Sequence, residues 1–114
     1  MAIPSGGGTE VLKSICTSVT AAYTLTPTQH HIYTILNIVI KNNHTANFGV
    51  DIDISNDSGS SYVFLMEDQN MLKDETFVWN EKLVLYDNTA RLRVGGFGSD
   101  NAHITINYID QDWS

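Results

Sequence analysis

Cysteine is nearly absent from this sequence. Cys16 stands alone in 114 residues, which excludes an internal disulfide framework and a four-cysteine zinc site. Basic side chains are scarce as well, with six Lys plus Arg against thirteen Asp plus Glu and a formal net charge of −7. Such a surface repels a phosphate backbone, so nucleic acid is not an expected partner. No apolar run reaches the roughly eighteen residues of a membrane-spanning helix, so no membrane association is expected. The opening residues MAIPSGGGTE lack the basic and apolar segments of a signal peptide, and secretion by that route is not expected.

Catalytic groupings are missing in the same way. His30 and His31 are adjacent, so on a strand they point to opposite faces, a poor geometry for one metal ion. His44 and His103 fall in or beside turns, where an imidazole is ordinary. The stretch Asp53 to Gly59 starts like a calcium loop, but its sixth position is Ser58 and its twelfth is Phe64, so the glycine and the closing glutamate are absent. Asp51 and Asp53 share a strand face, and Arg91 and Arg93 have the matching spacing. A cross-strand ionic ladder is the expected use of these four. Cys16 has no placed histidine and amide partners and reads as a small apolar residue. No enzyme, no metal and no cofactor is expected.

What the chain does contain is β pattern. Its length suits one domain that buries about two thirds of its unfolded surface without staples. Thr9 to Val19 reads as a first strand, and Thr20 to Thr28 continues it with β-favouring residues until Pro27. His30 to Lys41, HHIYTILNIVIK, is the strongest strand. Ile32, Thr34, Leu36, Ile38 and Ile40 alternate with Tyr33, Ile35 and Val39, so both faces are apolar and one of them is expected to meet another layer or subunit. Phe48 to Ser55 alternates cleanly, with Phe48, Val50, Ile52 and Ile54 inward. Asn56-Asp57-Ser58-Gly59 is a hairpin turn.

Tyr62 to Met66 returns as a strand, and Glu67 to Asp74 reads as polar loop. Thr76 to Val94, TFVWNEKLVLYDNTARLRV, is a meander of three short runs, with Asn80-Glu81 as its bend and Phe77, Trp79, Leu83 and Leu85 in the core. His103 to Ile109 is the last strand. Seven to nine short strands and no long helix predict an all-β single antiparallel β-sandwich, jelly-roll-like. The expected organisation is an N-terminal arm over 1–8, the sandwich over 9–109 and a tail over 110–114.

Several of these stretches together resemble a known group. A "GTEVLK"-like opening (Gly8 to Lys13), the long strand HHIYTILNIVIKN, the segment SSYVFLMED, the segment FVWNEKLVL (Phe77 to Leu85) and a "SYIDQDW"-like ending (Asn107 to Trp113) resemble small virion structural proteins of tailed, marine-type bacteriophages. The likeness runs over nearly the whole chain, and FVWNEKLVL and YIDQDW are its more specific parts. The usual pattern carries Leu-x-x-Gly-Asp-x-Leu after FVWNEKLVL. Here Tyr86-Asp87-Asn88-Thr89-Ala90-Arg91-Leu92 lacks the glycine, and a different turn is expected.

The resemblance implies a non-enzymatic part of a virion, such as capsid decoration, neck, or tail and fibre attachment. The expected partners are other virion proteins and copies of the chain itself, with a trimer as the expected homo-oligomer. Candidate interface residues are Gly6, Gly7 and Gly8 of the arm, Tyr33, Ile35 and Val39 on one face of the long strand, and Asp112 and Trp113 of the tail. Tryptophan is a frequent interface anchor because it removes much apolar area from water at low entropy cost. The alternative is a carbohydrate-binding adhesion module displayed on the virion, with Tyr23, Tyr33, Tyr62, Trp79, Tyr86 and Trp113 as its aromatic platform.

Overall fold

The computed structural model describes residues 9–97 and 100–113. The described chain forms nine strands: β1 (Thr9–Val19), β2 (Tyr23–Leu25), β3 (His31–Asn42), β4 (Phe48–Ser55), β5 (Val63–Met71), β6 (Thr76–Trp79), β7 (Leu83–Tyr86), β8 (Arg91–Gly95) and β9 (Ala102–Asp112). They build two antiparallel sheets. The large sheet has the order β1-β9-β3-β6, with β7 also on β3, and the small sheet has the order β2-β8-β4-β5. All successive strands cross from one sheet to the other except the hairpin pair β4–β5 and the pair β6–β7. The two packed antiparallel sheets are the all-β sandwich that the strand pattern predicts.

The core lies between the sheets. Ile35, Ile38, Ile40, Ile104 and Ile106 from the large sheet face Val50, Ile52, Leu92 and Val94 from the small one, and all are fully buried. Burial of β-branched side chains that stand off both pleated surfaces is the main favourable term in such a fold, at about 25 cal/mol per Å² of apolar surface. Asn42 and Asp53 are the fully buried polar exceptions among the described residues. Asn42 is satisfied locally. Its Nδ2 donates to the carbonyls of Ala46 and Met71, and its Oδ1 accepts from the His44 amide at 2.9 Å. It thereby ties the β3–β4 turn to the end of β5 at no cost in orphaned groups.

Three sequence expectations change. First, the residues of the long strand do not sort onto its two faces by simple alternation. The β3–β9 register shifts between Ile35 and Asn37, so Leu36 is an extra, bulged residue. One extra residue flips the parity of everything after it. Tyr33 and Ile35 before the bulge, and Ile38 and Ile40 after it, therefore all point into one core. Second, the meander is not one. β6 pairs Ile38 to Lys41 and β7 pairs Ile32 to Ile35, so they are two halves of one interrupted strand position beside β3. Asn80, Glu81 and Lys82 span the gap opposite Leu36 and Asn37. β8 belongs to the other sheet, against β2 and β4. Third, Glu67 to Met71 is strand rather than loop, and Met71 is fully buried.

Candidate interaction surface

The outer face of the large sheet follows from its register. Leu12 lies opposite Ile109, Ile109 opposite Thr34, and Thr34 opposite Val84, which makes one row across four strand positions. Cys16, Thr105, Val39 and Val78 make a second row. Between them Ser14, Asn107 and Asn37 form a third, in which the Asn107 Nδ2 donates to the Asn37 Oδ1 at 2.7 Å. Ile32 and Tyr86 lie beyond the first row. Leu12 is 71% exposed, Val84 65% and Val78 47%. In a chain with thirteen acidic residues, the paired positions of this face carry only Glu10 and Lys41 as charges. Apolar exposure with charge depletion is the composition of an interface core rather than of ordinary surface.

The outer face of the small sheet is built differently. Asp53, opposite Arg93 in register, is buried although it lies on the outer side. Arg93 covers it, with Nε donating at 3.1 and 3.2 Å to its two carboxylate oxygens, and the guanidinium lies 3.7 Å above the Tyr62 ring. The expected ladder therefore forms at one rung only. Arg91 lies opposite Ser55 and donates to the carbonyls of Asn88 and Ala90, while Asp51, opposite Gly95, accepts from the Asp68 amide.

A polar cluster marks one end of the large sheet, on the side continuous with the core. Asp110 accepts from Lys13 Nζ at 2.7 Å and lies 2.6 Å from His31 Nδ1. Burial alone would push its carboxyl up, but the hydrogen bonds from Lys13 and His31 outweigh this and hold it below the usual aspartate value. The His31–Asp110 pair orients an imidazole as a catalytic dyad would. Its Nε2 lies 3.7 Å from Asp112 Oδ1, a second carboxylate. Cys16 sits on the far side of the sheet, in an open hollow with Thr17, Ser18 and His103. Among the described residues no group of three His, Cys, Asp or Glu is placed to hold a metal ion.

The interface residues expected from sequence divide accordingly. Val39 lies on the outer face of the large sheet. Tyr33 and Ile35 are corrected: the bulge turns both inward, where they are 5% and 0% exposed and have no surface to present to another subunit. Trp113 is also corrected. It is 9% exposed, stacked on Tyr86 at 5.7 Å and edge-on to His30 at 5.1 Å, so it anchors the chain's own end. Asp112 is the last residue of β9, and the tail expected from Asp110 onward is strand through Asp112. Gly6, Gly7 and Gly8, with the arm over 1–8, lie outside the described residues. The sequence reading missed Leu12, Val78 and Val84. Their alternation with Lys13, Phe77 and Leu85 was visible, but which member of each pair faces outward depends on the partner strand.

No family model matches the chain, and no curated protein matches it. Solved structures do share its fold. A Drosophila NLP core, described for pentamer formation and histone binding, is 10% identical with a TM-score of 0.54, covering 84% of this chain and 96% of its own. A Bacillus endospore appendage protein from a family of disulfide-linked pili is 13% identical with a TM-score of 0.53, covering 100% and 97%. A pentameric capsid protein from metagenomic phage sequences is 10% identical with a TM-score of 0.44, covering 87% and 61%. At these identities the likeness is one of fold. That likeness is carried by the NLP core and the pilus protein, whose TM-scores exceed 0.5.

Proposed function

We propose that this chain is a non-enzymatic structural component of a virus particle, which docks on other particle proteins through the outer face of the large sheet. The observation that carries the reading is that face: rows of apolar and small neutral side chains with two charges, on a chain whose net charge is −7. Charged groups concentrate elsewhere, so this is the surface that loses least by leaving water. The sequence resemblance to tailed-phage virion proteins supplies the particle setting, in which capsid decoration, neck, and tail or fibre attachment are the candidate positions. The pilus protein and the pentameric NLP core of similar fold are themselves described as assembling proteins, which agrees with this reading.

The carbohydrate-binding alternative has less support. Of its six platform aromatics none is fully exposed: Tyr33 and Trp113 are buried, Tyr62 lies under Arg93, and Tyr86 is stacked on Trp113. The deciding measurement is occupancy in purified particles of the virus that encodes the chain, by quantitative mass spectrometry. The wild type should be present in fixed ratio to the major capsid protein. A variant carrying Val78→Lys and Val84→Lys should keep its fold by circular dichroism and be lost from particles. Absence of the wild type, or normal occupancy of the variant, overturns the proposal.

A further inference from the structure

The four sheet edges are not alike. β2 is three residues long with Pro27 just beyond it. The β6–β7 edge is broken at Asn80–Lys82. β5 has two register shifts against β4 and carries Glu67 and Asp68, the latter with φ of 54°. Shortness, interruption, bulges and charge are the devices by which proteins keep an edge from pairing with another chain. Of these β1 has only charge, in Glu10 near one end and in Lys13. It runs eleven residues in unbroken register with β9, without proline, and no strand among the described residues pairs with its other side. Its one lysine, Lys13, is drawn away from the edge to Asp110. Val11 and Leu12 are 49% and 71% exposed.

We infer that β1 is a dimerisation edge, and that its occupant is β1 of a second copy of this chain, paired antiparallel about a twofold axis. The other three edges are blunted further, so β1 finds its match only in another β1, and a like-with-like contact of this kind is closed and twofold. The register follows from the residues. An axis at Ser14 pairs all eleven positions, setting Glu10 against Ser18, Val11 against Thr17, Leu12 against Cys16 and Lys13 against Ile15 of the second copy. No like charges meet. Moving the axis to Lys13 would oppose two ammonium groups, which destabilises a ladder. The pairing joins the two large sheets into one and runs their neutral outer faces together, a twofold building block rather than the trimer that the sequence suggests. It does not depend on the virion reading.

The test is sedimentation equilibrium on the purified full chain. The wild type should be a dimer in the micromolar range. Ser14→Lys, which places two ammonium groups on the axis, and Leu12→Lys should each weaken the dimer by about tenfold or more with circular dichroism unchanged. Ser14→Cys in a Cys16→Ser background should give a disulfide-linked dimer on mild oxidation. A strictly monomeric wild type, a dimer indifferent to both lysine variants, or failure of the Ser14→Cys chain to cross-link overturns the inference. Because these readouts use the isolated chain, they stand or fall separately from occupancy in particles.

Discussion

On the outer face of the small sheet, a buried carboxylate, a guanidinium and a phenol ring satisfy one another: Asp53, Arg93 and Tyr62. On the outer face of the large sheet, Leu12, Val78 and Val84 are left to water with almost no charge around them. Both faces belong to one small sandwich and have the same strand spacing. The difference teaches where the chain is finished. The small sheet's outer surface buries its central charge under contacts within the chain, though Phe64 beside Asp53 stays 48% exposed, whereas on our proposal the large sheet's outer surface and its β1 edge are what a second molecule would complete.

The largest expected effect breaks the closed side. Arg93→Ala leaves the Asp53 carboxylate buried without its cation, and unfolding by urea should show a loss of about 3 kcal/mol, reduced from a fully buried case because Arg93 itself is partly exposed. Next comes Gly96→Ala. Gly96 holds φ of +86°, and a Cβ there would lie 2.6 Å from Asp51 Oδ2 and 2.9 Å from the Asp51 amide. A cost of about 1–2 kcal/mol should appear in the same assay, with Asp51 displaced from the Asp68 amide.

Acid should act on both sheets, with a sign fixed by their depressed carboxyls. Hydroxyl donation from Ser61 and Ser55 lowers Asp57, in the β4–β5 turn, from 3.8 to about 2. A folded pKa below the unfolded one means that the stabilisation is whole above 3.8 and is lost as pH falls towards about 2. Asp110, held down by Lys13 and His31, works in the same direction at the end of the large sheet. The melting temperature should therefore drop through this window, and drop less steeply in Asp57→Asn. The smallest effect on stability sharpens the comparison. Val84→Lys on the open face should change unfolding free energy by no more than about 0.5 kcal/mol while reducing association with particle proteins.

Much of the fold was legible in the sequence. β1, β4, β6 and β7 have the ends expected from alternation and from turn residues, because a strand's own period and its Gly, Pro, Asn and Asp punctuation are local properties. The hairpin at Asn56–Gly59 is where its turn residues put it, with Ser58 and Gly59 both at positive φ. The candidate surface was much less legible. Of the residues expected at an interface, Val39 lies on the open face, but Tyr33, Ile35 and Trp113 are internal. The misreading of β3 has one cause, since Leu36 looks like any other strand residue until β9 is laid beside it.

The sequence by itself determined that this is an acidic, all-β chain. Composition and local periodicity are enough for that. Only the tertiary structure decided which face of each strand is inside, that β6 and β7 share one strand position, that Asp53 is buried under Arg93, and that β1 is, among the described residues, a long edge strand in unbroken register. Each of these is a property of a strand together with its neighbour. Register joins residues far apart in the chain, and no window of one strand contains it.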